Sequence, residues 1–219
     1  MSNSDTSSQS IWRPATRQLH AGLERTAYGE TSEPVFLTSG FVYDSAEQAA
    51  QTFTGEVTHY QYSRFGNPTV AALERRLADL EGAEACVATS TGMGAVSSAL
   101  LSHVKAGDRV VASSALFGSC HWIVANLLPR YGVTTVFVDG TNMDEWAEAL
   151  SEPTAAVLLE SPSNPMLEIL DIAAISALAH KAGAIVVVDN VFASPVYPKP
   201  RELGADVGVY SCTKHIDGQ

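Results

Sequence analysis

From Asn67 to Cys212 two patterns take turns along the chain. In one, apolar residues recur every three or four positions; in the other, four to seven consecutive residues are almost all apolar. The first pattern predicts helices and the second strands. Asn67-Pro68 opens a helix with proline at its first position, Val70, Leu73, Leu77 and Leu80 follow at helical spacing, and Gly82 closes it. The spacing then predicts a strand over 85–89, a helix over 92–104, a strand over 109–113, a helix over 119–131 and a strand over 133–139. A helix over 142–150 and a strand over 155–160 follow. Asp171 caps a helix through Lys181 that Gly183 stops, and strands are expected over 185–189 and 206–212. Strands that are apolar throughout are buried on both faces. The fold class is therefore α/β, a mostly parallel sheet flanked by helices, with right-handed crossovers. Ligands of such sheets sit at the carboxyl ends of the strands.

Residues 11–66 differ. They hold turn formers (Gly22, Gly29, Pro34, Gly40, Gly55) and a cluster of Tyr and Phe, without a long periodic segment. They are expected to form an N-terminal arm that packs on something else, with a boundary near Gly66. Residues 1–10 are Ser, Asn, Asp, Thr and Gln in the main, and are expected to be a disordered tail rather than a signal peptide.

Composition narrows the function. Of 219 residues, 46% are hydrophobic and 17% charged, enough for a sizeable core. Thirteen basic residues against 24 acidic ones leave a net charge of −11, which argues against nucleic acid and anionic membrane surfaces as partners. No apolar run has the length of a bilayer span. Cys86, Cys120 and Cys212 are odd in number, widely spaced and without a CxxC, so reduced core thiols in a cytoplasmic protein are expected, not a disulfide framework or a metal site.

Three strand ends carry candidate chemistry. Thr89-Ser90-Thr91-Gly92-Met93-Gly94 leads into a helix, whose N-terminus offers free N–H groups to an anion. The same stretch also serves as a plain strand-to-helix turn. A dinucleotide reading fits less well, since Ser97 stands where the third glycine belongs and the next strand ends in Ser113-Ser114 without a ribose-binding acid. Asp189 ends its strand after four apolar residues, as a turn residue or as the partner of a cation. Lys214 follows the last strand, as a solvated surface residue or as a desolvated amine that attacks carbonyls. Taken together, an anion site, an acid and a lysine at one sheet edge are what pyridoxal phosphate requires for its phosphate, its ring nitrogen and its aldehyde.

From about Thr16 onward the chain also resembles the N-terminal half of the Cys/Met-metabolism group of fold-type I pyridoxal-phosphate enzymes, which have the aspartate aminotransferase-like transferase fold. The motifs are Tyr62-Ser63-Arg64 with Asn67-Pro68-Thr69, Thr91-Gly92-Met93, Ser161-Pro162-Ser163-Asn164-Pro165, Val188-Asp189-Asn190, and Ser211-Cys212-Thr213-Lys214-His215-Ile216-Asp217-Gly218-Gln219. Within the group, Lys214 to Gln219 and Leu116-Phe117-Gly118 most resemble the O-succinylhomoserine sulfhydrylases.

The resemblance implies a set of roles. Lys214 joins the cofactor's aldehyde and later shuttles protons. Asp189 pairs with the pyridine nitrogen. Gly92 and Met93 give backbone N–H groups, and Ser211 and Thr213 hydroxyls, to the phosphate. Asn164 bonds the phenolic oxygen, and Phe117 stacks on the ring where many members have tyrosine, so the hydroxyl is lost. Tyr62 and Arg64 reach the phosphate of a neighbouring subunit, which implies a homo-oligomer, a dimer of dimers, with shared sites.

The activity implied is γ-replacement on O-succinylhomoserine with sulfide, giving homocysteine. Cystathionine gamma-synthase and methionine gamma-lyase activities are same-class alternatives, and a non-catalytic paralogue that dimerises with a longer relative is a different one. Members run to about twice this length, so residues 67–219 are expected to be an incomplete large domain. It would lack the carboxylate-binding arginine and an antiparallel strand between the first and last strands here. A chain of this length alone is expected to fold poorly and have little activity.

Overall fold

The computed structural model describes residues 12–197 and 199–218; the tail expected over residues 1–10 lies outside the described residues. The chain divides into two compact units, the first ending at Ala88 and the second beginning at Thr89.

The first unit is organised on the helix Pro68–Glu81. Asn67 caps it by accepting the Thr69 N–H at 2.9 Å, while its own amide donates to the Phe36 carbonyl and the Ser63 hydroxyl. Gly82 ends the helix in the left-handed region. The preceding residues pack on this helix. Arg17 donates to Asp79 at 2.8 Å, and Arg76 donates to the Ala21 carbonyl at 2.9 Å and pairs with Glu33. Gly22 has φ +73° and lies against the helix backbone, where a Cβ would fall 2.9 Å from the Arg76 nitrogen. The unit therefore runs past Gly66, where composition alone places a boundary. The arm is also not wholly irregular, since it contains the helices Pro14–His20 and Ala46–Thr54.

The second unit holds a sheet of five parallel strands, β1 (Arg109–Ser113), β2 (Thr134–Val138), β3 (Ala156–Glu160), β4 (Ile185–Asp189) and β5 (Val207–Val209), in the order β2-β1-β3-β4-β5. Within each apolar run, alternate residues serve opposite faces. Val111, Val157, Leu159, Val186 and Val188 belong to one core with Trp146, Ile175 and Ala179. Val110, Ala112, Leu158, Val187 and Val209 belong to the other, with Val96, Leu100, Cys120 and Val124. Helices Met143–Ala149 and Ile172–Lys181 supply the first core, and helices Gly92–Leu101 and Gly118–Trp122 the second. Asp171 caps Ile172–Lys181 by accepting the Ala174 N–H at 3.0 Å.

Three predicted elements differ. Residues 85–89 join no sheet: Val87 is exposed, and the Ala88 N–H goes to the Glu74 carboxylate at 2.8 Å. A strand needs a neighbouring strand to take its backbone groups, and neither edge of the sheet, β2 or β5, supplies one. The last strand is shorter than expected, three residues instead of seven, because the chain turns from Ser211 onward. The helix over 119–131 is interrupted by a π-helical turn, Ile123–Leu127, before Leu128–Arg130. Pro129 explains this, since it has no N–H for the Ala125 carbonyl and its ring crowds that oxygen. The cysteines are unpaired with one another, and only Cys120 is fully buried.

Candidate active site

A cavity of about 350 Å³ opens in the second unit at the carboxyl ends of β3, β4 and β5. It lies on the sheet face shared with helices Gly92–Leu101 and Gly118–Trp122, because Glu160 and Asp189 continue the alternation that puts Leu158 and Val187 in that core. Of the residues expected at a site, Gly92, Met93, Phe117, Asn164, Asp189, Ser211, Thr213 and Lys214 line it. Tyr62 and Arg64 belong to the first unit and are not among its lining. There Arg64 lies over the Tyr62 ring at 5.4 Å and the Phe65 ring at 5.2 Å.

One wall is the start of helix Gly92–Leu101. Thr91 caps it by accepting the Gly94 N–H at 2.9 Å, so the capping oxygen leaves the N–H groups of Gly92 and Met93 on the cavity side. Gly92 is there because nothing larger fits: a Cβ would sit 2.8 Å from the Cβ of Ser211. The Ser211 and Thr213 hydroxyls are 3.0 Å apart, and Lys214 Nζ reaches the Thr213 hydroxyl at 3.5 Å. Lys214 is exposed, on a turn beyond β5, rather than desolvated at the strand end. A helix N-terminus beside two hydroxyls and an amine is a cradle for a phosphate dianion.

The floor is acidic. Asp189 is buried, accepts the Val191 N–H at 3.1 Å, and takes a weak thiol hydrogen bond from Cys120 at 3.7 Å. Burial pushes its carboxyl up from the ordinary value, against the opposing pull of those two donors. Among the described residues it forms no ion pair, so a cationic ligand atom would relieve it. Burial also pushes the Cys120 thiol up, reinforced by the charges of Asp189 and Glu160, so the thiol stays protonated and donates. Beside Asp189 in the register lies Glu160, which is equally buried. Its two oxygens accept the Phe117 N–H at 2.5 Å and the Asn164 N–H at 3.0 Å, and burial raises its carboxyl to about 7. Glu160 is not marked as a site residue by the sequence, because a Glu closing an apolar run looks like an ordinary strand end. The available signal was its place at the same strand end as Asp189 and four residues before Asn164.

An anion cradle, an amine, and a buried carboxylate that lacks a cation fit the phosphate, aldehyde and pyridine nitrogen of pyridoxal phosphate. Comparison with known proteins agrees. Residues 15–219 match the family model of the Cys/Met metabolism PLP-dependent enzymes. An O-succinylhomoserine sulfhydrylase of Mycobacterium tuberculosis is 54% identical over 94% of this chain and 50% of its own length. An L-methionine gamma-lyase of Fusobacterium nucleatum is 46% identical over 93% of this chain and 52% of its own.

Among solved structures, a putative O-acetylhomoserine (thiol)-lyase of Campylobacter jejuni, which carries a pyridoxyl-lysine monophosphate, superposes with a TM-score of 0.89 at 29% identity, over 95% of this chain and 52% of that one. A cystathionine gamma synthase of Xanthomonas oryzae has a TM-score of 0.87 at 36% identity, over 95% and 52%. The chain thus spans about half the length of the curated relatives it matches. Over that span, with a cavity whose donors suit the cofactor and a family model matched from residue 15 to the last residue, the chain belongs to the Cys/Met metabolism PLP-dependent enzymes.

Proposed function

We propose that the chain builds the cofactor-holding part of a γ-replacement enzyme that acts on O-succinylhomoserine with sulfide to give homocysteine. The observation that carries this reading is the convergence of Lys214, Asp189 and the Gly92–Met93 helix start on one cavity. Pyridoxal phosphate, when bound, supplies an electron sink for charge at the substrate's α carbon. The remaining work belongs to side chains of this chain. Gly92 and Met93 N–H groups and the Ser211 and Thr213 hydroxyls bind the phosphate. Lys214 Nζ would hold the aldehyde, and its amine would take the proton from the substrate's α carbon and return protons later. The Asp189 carboxylate holds a proton at the pyridine nitrogen. Asn164 orients the phenolic oxygen and Phe117 covers the ring. Tyr62 and Arg64 serve the phosphate of a neighbouring subunit in a dimer of dimers, and the enzyme works in the cytoplasm.

Support for the sulfhydrylase activity is the 54% identity with the Mycobacterium tuberculosis enzyme and the run Lys214 to Gln219. A second reading, a methionine gamma-lyase or cystathionine gamma-synthase activity, draws on the 46% identity with the Fusobacterium lyase and the likeness to the Xanthomonas synthase. A non-catalytic partner of a longer relative is the third. Borohydride reduction of the natively produced protein, read by peptide mass, tests the cofactor part: a reduced phosphopyridoxyl group on Lys214 is expected, and Lys214→Ala loses it. Supplying O-succinylhomoserine with sulfide, cysteine or neither tests the rest. Homocysteine formed only with sulfide supports the leading reading, cystathionine formed with cysteine the second, and no turnover with any the third.

A further inference from the structure

We propose that Glu160 is a positioning residue for the cofactor ring, its one carboxylate setting the spacing between the backbones of Phe117 and Asn164. This rests on the reading above that Phe117 covers the ring and Asn164 meets the phenolic oxygen. Glu160 is 3% exposed and sits beside a second buried carboxylate, Asp189, with no cation paired to either among the described residues. A buried acid there disfavours folding unless it does something a neutral side chain does not.

The geometry supplies the reason. Glu160 ends β3, where it is the register partner of Asp189 in β4, so its Cα is held by the sheet. From that fixed point one oxygen takes the N–H of Phe117, which precedes the helix Gly118–Trp122, and the other takes the N–H of Asn164, in the turn after β3. The two segments are otherwise loops, 43 and four residues from Glu160 in sequence. Because both oxygens are used, the carboxylate plane is fixed, and with it the distance between two segments that border the same cavity. When ionised, Glu160 makes charge-assisted bonds to both backbone N–H groups and holds this spacing more firmly than a neutral acceptor would.

The test uses the natively produced protein stripped of cofactor and then titrated with pyridoxal phosphate. Glu160→Gln keeps one acceptor oxygen and presents an amide to the other N–H; Glu160→Ala removes both. We expect Kd to rise about tenfold or more for Glu160→Gln and further for Glu160→Ala. The visible circular dichroism of the bound cofactor, which reports how the ring is held, is expected to fall in both. In a background of Phe117→Leu with Asn164→Ala, the penalty of Glu160→Gln is expected to disappear, because the residues it acts through are gone. Wild-type Kd and dichroism in Glu160→Gln, whatever its melting temperature, overturn the proposal, as does a penalty of unchanged size in the double background. A Glu160→Gln chain that fails to fold overturns it too, since a positioning role leaves the fold intact. If wild-type protein itself forms no borohydride-trapped group on Lys214, the cofactor-site reading fails first; a wild-type group with an indifferent Glu160→Gln sinks only this inference.

Discussion

Glu160 and Asp189 are Cα partners in the sheet, and both carboxyls are pushed up by burial, Glu160 from 4.5 to about 7. The consequence for pH follows from proton counting. Between the ordinary carboxyl range and the raised value, the folded chain holds a proton that the unfolded chain has released. The stability contributed by Glu160 is therefore fully present below its ordinary value and is lost as pH rises through about 7, and Asp189 acts in the same direction. The cofactor-free protein is expected to melt at a lower temperature at about pH 8 than at about pH 5.5, and Glu160→Gln to reduce that difference. Thermal melts of the two proteins at the two pH values check it, and a stability that rises over this range in wild type while Glu160→Gln stays flat contradicts it. If Asp189 meets the cofactor's ring nitrogen as proposed, bound cofactor is expected to blunt the effect, because a cationic nitrogen there would offset the carboxylate's charge.

At the scale of elements, the two faces of the sheet separate stability from chemistry. Leu159 is fully buried on the face with Trp146 and Ile175, one position before Glu160 and pointing away from the cavity. Leu159→Ala is expected to lower stability by about 2–5 kcal/mol in urea unfolding while leaving cofactor affinity unchanged. A large loss of affinity in that variant would mean that the faces are coupled. The same alternation explains what the sequence makes legible. Apolar runs mark β1 to β4 to within about two residues at either end, because a strand buried on both faces must be apolar throughout. Caps at Asn67, Asp171 and Gly82 mark helix ends because they satisfy particular N–H groups or need a left-handed backbone. Other features leave no such trace. The run over 85–89 has strand composition, yet composition does not say whether a neighbour exists. Helix Pro14–His20 buries nothing within its unit and has no apolar period, while in Ala46–Thr54 the period of Ala46, Ala49, Ala50 and Phe53 spans barely two turns and stays mostly exposed, too short to stand out. Gly92, Asp189 and Lys214 are legible as a set because each ends or follows a strand or opens a helix at the same sheet edge, and one cavity holds all three; Glu160 is not, because its partners are backbone groups.

For the whole molecule, a site shared between chains, as proposed, carries an expectation for mixed chains. Tyr62 and Arg64 sit in the unit ending at Ala88, whereas the cavity belongs to the unit beginning at Thr89. If they serve a neighbour, chains carrying Arg64→Ala and chains carrying Lys214→Ala complement each other. Mixed after dissociation, they are expected to regain about a quarter of wild-type turnover, since half the dimers are hybrids and each hybrid has one intact site. No recovery would place Arg64 in the service of its own chain. The pairing of Glu160 with Asp189 bears on how such a molecule reaches its native state at all. A slip of β4 by one residue past β3 would turn Asp189 to the other face, into the hydrocarbon around Trp146 and Ile175. The uniformly apolar strands would otherwise tolerate that slip, since valine fits either face. The acid at the strand end is thus expected to serve as an alignment mark during folding, disfavouring misthreaded sheets that a purely hydrophobic strand would accept.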